Sequence, residues 1–262
     1  MKCDKIVKKL EDLSEPRYAL DYDNVGLLVG RNNRDIKRIL VTLDCDVSAV
    51  DYAISNNIDL IISHHPLIFG SIKAVNDSSI LGKKIIELIE NNINQYSMHT
   101  NFDTCVMGRL AGEYLGLTDM VPLDIIGNDE NGEPYGIGVV GRYDEKLSSH
   151  AWCEKVKEVF GLPYVCFYGN EDEFIDKIAI CPGSGKEFAL QAKALGAKML
   201  ITGDVSHHPG IDAIENNMNI CDATHFGIEY IFVDFISKYL VECFGEQVEV
   251  VCMPKHFPYK IY

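Results

Sequence analysis

The strongest constraint on this fold is a pair of nearly unbroken apolar runs, 37–43 (KRILVTL) and 58–63 (IDLIIS), separated by a helical stretch at 46–56. Runs without polar alternation belong to strands covered on both faces, as in parallel α/β sheets. A parallel pair needs a crossover of about a dozen residues, and the intervening helix supplies it. The segment therefore predicts a β-α-β unit.

The same alternation continues along the chain. Helical patterns occupy 2–13 and 79–92, and a strand candidate at 93–99 precedes a helix that runs from Asp103 to Gly116. The turn-rich stretch 127–136 (GNDENGEPYG) is the best boundary between domains. Beyond it, strands at 136–141, 163–168, 175–181, 198–202, 218–222 and 247–252 alternate with helices at 146–160, 185–195, around 210–217 and at 225–242. The expectation is an α/β protein of two lobes, 1–126 and 127–262, whose loops meet at a shared cleft. No residue-level repeat is legible between the halves. With 262 residues, 47% of them hydrophobic, the chain can bury cores of this size.

Charge and cysteine content narrow the function classes. The 24 basic residues are scattered and outnumbered by 39 acidic ones, giving a net charge of −15. A nucleic-acid partner requires clustered Lys and Arg, so nucleic acid is not expected as the chief partner. Nine cysteines lack any framework or C-x-x-C spacing and read as reduced thiols. The N-terminal MKCDKIVKKLEDL is an amphipathic helix without the apolar core of a signal peptide, and no run is long enough to span a bilayer. A cytoplasmic protein with no membrane partner is expected.

Three clusters of potential ligands follow strand candidates, where open α/β sheets collect their ligands. Ser63-His64-His65-Pro66 ends the strand at 58–63, and Pro66 keeps His65 out of the helical region so that a turn can bring both imidazoles together. His99-Thr100-Asn101-Phe102-Asp103 follows the strand at 93–99; Asp103 is a ligand candidate or a cap of the next helix. His225 and Glu229 lie one helical turn apart, a spacing that suits a shared metal or an ordinary helical hydrogen bond. Together His64, His65, Asp103, His225 and Glu229 make a set for divalent transition metals, with zinc, iron, manganese and cobalt all compatible. Five donors exceed one open tetrahedral site and suit two ions, with Glu229, the longer carboxylate, as the bridge. Two divalent ions carry four positive charges against two carboxylates, which leaves room for an anionic substrate such as a phosphate. Paired ions roughly 3.5–4 Å apart would also activate water near neutral pH.

Two more segments stand out in the second half. IAICPGSGK (178–186) is a strand and Gly-rich turn that resembles an anion cradle or a plain strand-to-helix connection; it is not a P-loop. MLITGDVSHH (199–208) ends in His207-His208, which either line a substrate cleft as acid–base groups or decorate an exposed turn.

DNVGLLVG, ISHHPLIF, HTNFD, PGSG, ITGDVSHH and ATHFGIE, in this order, resemble the dinuclear-metal family of GTP cyclohydrolase I type 2 homologues, the NIF-like proteins. The resemblance covers nearly the whole chain. It implies two similar α/β lobes with a dinuclear site in the cleft, His65 and Asp103 on one ion, His64 and His225 on the other, and Glu229 bridging. It also implies a toroidal homohexamer and hydrolytic opening of the GTP imidazole ring to give formate and dihydroneopterin triphosphate. His99 or His208 would move protons as catalytic groups. Pro182 and Thr224 stand where the family usually carries glycine. The alternatives are a nucleotide phosphoesterase and a non-catalytic metal-binding or trafficking protein.

Overall fold

The computed structural model describes residues 1–261. Helix α1 (Cys3–Leu13) is followed by strands β1 (Gly26–Val29) and β2 (Arg38–Thr42). Helix α2 (Val47–Ser55) then leads to β3 (Leu60–Ser63), and α3 (Ile80–Glu90) leads to β4 (Asn94–Ser97). A short helix α4 (Thr100–Phe102), a π-helical turn at Asp103–Met107 and α5 (Gly108–Leu115) come next. The hairpin β5 (Thr118–Asn128) and β6 (Pro134–Ser148) precedes α6 (Ser149–Phe160), β7 (Cys166–Tyr168) and β8 (Phe174–Ile180). The remainder runs α7 (Ala189–Ala194), β9 (Met199–Thr202), α8 (His207–Glu215), β10 (Asn219–Asp222), α9 (His225–Glu229), α10 (Ile231–Phe244) and β11 (Glu249–Cys252).

The chain forms two compact units: Met1–Phe102 with Phe232–His256, and Asp103–Ile231 with the C-terminal segment from Phe257. The first holds a five-stranded sheet in the order β1-β4-β3-β2-β11, parallel except for β1. The second holds six strands, β5-β6-β8-β9-β10-β7, with β8, β9 and β10 parallel and the rest antiparallel. The β-α-β unit expected from the apolar runs is β2-α2-β3. Every residue of β3 is buried, and Leu40, Val50, Ala53 and Ile61 share one core cluster with α3 residues Ile85 and Leu88. Each of these Leu, Val and Ile side chains contributes roughly 1.5–3 kcal/mol by leaving water. Asp46 starts α2 by accepting the Ala49 N–H (2.8 Å), and Ser79 starts α3 by accepting from Gly82 N–H (3.0 Å).

The two units share a residue-level device that periodicity does not reveal. In the first, Gly30 (φ +122°) follows edge strand β1 and lies against Asn94, the first residue of β4; an added Cβ would meet Asn94 Cα at 2.9 Å. In the second, Gly169 (φ +139°) follows edge strand β7 and lies against Asn219, the first residue of β10, with Asn219 Cα at 3.1 Å. Each asparagine Oδ1 accepts the N–H after the glycine: Arg31 at 3.1 Å and Asn170 at 2.8 Å. Only glycine permits both the positive φ and the close approach. The units are thus two versions of one pattern, differing in what was added outside β2 and β8.

Two strands lie outside the expectations from sequence. β1 is only four residues long and is bounded by glycines, and β5 alternates irregularly around Pro122 and Gly127, with register shifts against β6. The segment 127–136 is the tip of the β5–β6 hairpin, where Asp129 N–H donates to Glu133 O; the units divide instead at Phe102/Asp103 and Ile231/Phe232. Turn-forming residues mark any chain reversal, so a hairpin tip and a linker have the same composition. β6 runs on through Ser148, which caps α6 by accepting from Ala151 N–H (3.2 Å), so that helix begins at Ser149 rather than 146. The helix expected over 225–242 is divided into α9 and α10 at Tyr230. No helix among the described residues is long and apolar enough to cross a membrane.

Candidate metal centre

In the first unit, His64 and His65 leave the carboxyl end of β3 while their N–H groups still donate to Thr42 and Leu43 carbonyls of the β2 side, at 3.3 and 3.0 Å. His64 is fully buried against Phe232, with ring centroids 5.0 Å apart. Its Nδ1 is 2.7 Å from the Met98 carbonyl oxygen. A carbonyl only accepts, so Nδ1 carries the hydrogen and Nε2 keeps its lone pair. His65 Nδ1 lies 2.8 Å from Asp44 Oδ1, and His99 Nδ1 lies 3.0 Å from both carboxylate oxygens of Asp23. These carboxylates bring out the same tautomer. One ring nitrogen from each of His64, His65 and His99 lies within 4.8 Å of the other two.

Asp23 was not singled out by ligand spacing, although it begins the DNVGLLVG segment. Its side chain is fully buried, yet it also accepts from Thr100 N–H at 2.9 Å and from the Thr100 hydroxyl. Burial alone would raise its pKa; the hydrogen bonds from His99 and Thr100 outweigh that and hold the carboxyl well below the usual carboxylate range. The group is ionised at neutral pH.

In the second unit, His225 opens α9 with Nδ1 2.8 Å from Asp204 Oδ2 and Nε2 3.0 Å from Glu229 Oε2. The Nε2–Oε2 separation suits adjacent donors each about 2.0–2.2 Å from one ion. Glu229 is only 3% exposed, an uncommon position for a carboxylate. A carboxylate oxygen of Asp103 lies within 4.8 Å of one from Glu229. Asp103 is not a helix cap: it sits at the first position of the π-helical turn, after the helical start at Thr100. Such turns are rare and recur at functional sites. Cys181 lies in the same neighbourhood, but burial, reinforced by Asp103, Glu187 and Glu229, pushes its thiol well up and keeps it protonated.

Glycines shape this half of the site. Gly183 of the PGSG turn has φ +79°, and an added Cβ would lie 2.4 Å from Glu229 Oε1. At Gly203 an added Cβ would lie 2.4 Å from the His225 backbone nitrogen. Within the PGSG turn, Gly185 N–H donates to Thr202 Oγ1 at 2.8 Å, and the Gly183 carbonyl accepts from Gly203 N–H at 2.8 Å. The turn packs closely against Glu229. Thr224, before His225, takes φ +60°, a conformation that favours glycine; its hydroxyl accepts from Gly227 N–H at 3.1 Å. His208 is exposed at the start of α8 with its ring 5.3 Å from that of His207, and it joins none of the ligand clusters among the described residues.

A metal-ligating histidine characteristically donates its other N–H to a carboxylate or carbonyl, which fixes the tautomer and aims the free nitrogen. His64, His65, His99 and His225 all show this arrangement, so the donor set fits a divalent transition metal. The class defined by fold and site is an α/β protein with candidate metal-ligand groups of histidine and carboxylate. The chain belongs to the Duf34/NIF3 (NGG1p interacting factor 3) family, whose model matches residues 1–258.

Comparison with individual proteins agrees. A GTP cyclohydrolase 1 type 2 homolog of Clostridium acetobutylicum is 35% identical over 249 residues, covering 92% of this chain and 90% of that protein. The crystal structure of Staphylococcus aureus protein SA1388 superposes with a TM-score of 0.89 at 26% identity, covering 100% of this chain and 99% of the other. A Bacillus cereus protein related to NIF3 has a TM-score of 0.91 at 22% identity, with the same coverage, and supports the fold.

Proposed function

We propose that His64, His65, Asp103, His225 and Glu229 together hold two divalent metal ions, and that the chain is a metal-dependent hydrolase of the GTP cyclohydrolase 1 type 2 kind. The observation that carries the metal reading is the uniform pinning of Nδ1 by Met98 O, Asp44 and Asp204, which leaves Nε2 of His64, His65 and His225 as the donor. The nucleotide substrate rests on the name borne by relatives at 35% identity. Two bound ions would activate water and offset substrate charge.

The chain's own residues supply the rest. Glu229, buried and longer than Asp103, is the carboxylate suited to bridging. His99, oriented by Asp23, is the group placed to move a proton, and exposed His208 is a second one. Cytoplasmic location and a homohexamer complete the reading.

Metal analysis of the purified protein tests the centre: about two ions per chain in the wild type, with markedly fewer in His64→Ala and in Glu229→Gln. Unchanged metal content in both variants would sink it. Incubation with GTP, followed by oxidation, tests the reaction through a fluorescent pterin. Phosphate release without pterin would point to the phosphoesterase, and metal without turnover to the binding or trafficking protein. Sedimentation measures the assembly.

A further inference from the structure

We propose that His64, His65 and His99 form by themselves a three-imidazole site that holds one divalent transition-metal ion using the first unit alone. The inference rests on reading His64 and His65 as ligands, but it needs none of Asp103, His225 and Glu229. It adds a ligand, His99, and a separately loadable state in which an ion is held without the second unit's donors.

The geometry is built rather than incidental. The three ring nitrogens lie within 4.8 Å of one another, so small side-chain adjustments bring all of them to one ion. The carriers are the ends of adjacent parallel strands, with Ser63 opposite Ser97 in register and Met98 N–H donating to Ser63 O at 3.0 Å. Beneath them Gln95 Nε2 donates to the hydroxyls of Ser63 (3.0 Å) and Ser97 (2.8 Å). His64 and His99 therefore leave a cross-braced base.

Charge points the same way. Three neutral imidazoles leave the two positive charges of an ion uncompensated within the first shell. Asp23 and Asp44, each on the far nitrogen of a ligand, supply two negative charges in the second shell. Asp23 is the more telling of the two, because its side chain is fully buried and both its oxygens lie 3.0 Å from His99 Nδ1, with Thr100 as the other partner. A carboxylate that merely fixed the loop to α4 would need only the Thr100 contacts; aligning with both oxygens on His99 Nδ1 adds an electron-rich ligand. Imidazole donors favour zinc, cobalt, iron(II), nickel and copper over magnesium and calcium, and three of them leave a fourth position for water or for a donor ligand that delivers the ion.

The test uses the full chain with His225→Ala and Glu229→Gln combined, titrated with cobalt(II) and followed by visible absorption. We expect one cobalt per chain with the intense band of four-coordinate cobalt. Adding His99→Ala should weaken it at least tenfold, about the lower end of losing a metal-supporting group. Asp23→Asn keeps an acceptor for His99 Nδ1 while removing the charge, and should weaken binding several-fold. Circular dichroism of metal-free variants separates loss of ligand from loss of fold, with His99→Gln as the second variant if His99→Ala does not fold. Absence of cobalt in the double variant, or a spectrum and affinity indifferent to His99, overturns the proposal. If wild type holds two ions and the double variant none, the dinuclear reading stands and this one falls. If both hold one ion and Glu229→Gln is silent, the reverse is true.

Discussion

Replacing Gly183 by alanine separates the cost of backbone strain from damage to the metal centre. Gly183 has φ +79°, and its new Cβ would lie 2.4 Å from Glu229 Oε1, whereas ordinary contact begins at 3.4 Å, so the carboxylate must retreat by about 1 Å. The end of a glutamate side chain can yield, so the folding penalty is mainly the left-handed backbone, roughly 1–2 kcal/mol. Gly132 is the control: φ is +86° and an added Cβ meets nothing within 4 Å. Urea melts of the two metal-free variants should therefore agree within about 0.5 kcal/mol. Their metal affinities should not. A metal–oxygen bond of about 2.0–2.2 Å does not survive a 1 Å retreat, and a loss of about 10–100-fold, or roughly 1.4–2.8 kcal/mol, is expected in Gly183→Ala alone. Competition with a zinc-responsive dye measures it. Equal affinity in the two variants would refute the placement of Glu229 as a ligand.

Four further outcomes follow from the site. Asp44→Ala and Asp204→Ala each free one imidazole Nδ1, and each should lower metal affinity about 10–100-fold in the same dye competition while leaving the fold intact. Stripping metal with a chelator should lower thermal stability, by about 2.7 kcal/mol for a site held at one hundred times its dissociation constant and growing with the logarithm of free metal; a melting temperature indifferent to zinc contradicts native-state binding. Thr224→Gly should be at least as stable as Thr224→Val in urea, because both lose the bond to Gly227 N–H, worth about 1 kcal/mol, but only glycine relieves the φ of +60°. His208→Ala should leave metal content unchanged, since His208 lies outside the ligand clusters; a fall in metal content would move it into the centre.

The sequence disclosed what periodicity and strand ends encode. β2, β3, β9 and β10 are short, largely apolar runs, and His64, His99 and His225 follow β3, β4 and β10 at the positions where α/β sheets collect ligands. It did not disclose β1, whose four residues have too few side chains to show a period, nor the Asn94 and Asn219 pairing with Gly30 and Gly169, which is a matter of distance rather than spacing. Asp23 and Asp44 were equally silent, and Asp204 showed only as part of a polar strand end. An acidic residue in a loop looks the same whether it is solvated or holding an imidazole 2.8–3.0 Å away. The PGSG turn was legible as a Gly-rich connection, but the room that Gly183 makes for the chain's own Glu229 was not.

The first unit is assembled from two distant stretches of chain, and this has a consequence during synthesis. β11 pairs with β2 and is tied to it by Arg38, whose guanidinium holds both oxygens of Glu249 at 2.9 Å, while Phe232 supplies the wall behind His64. Residues 103–231 leave the ribosome before either of those pieces exists. His64 and His65 are therefore made early and seated late. Until Phe232 arrives, the nascent histidines lack the packed backing that sets their aim, and stray ions meet only a loosely organised pair. Translation order itself delays the moment at which the packing behind His64 is complete.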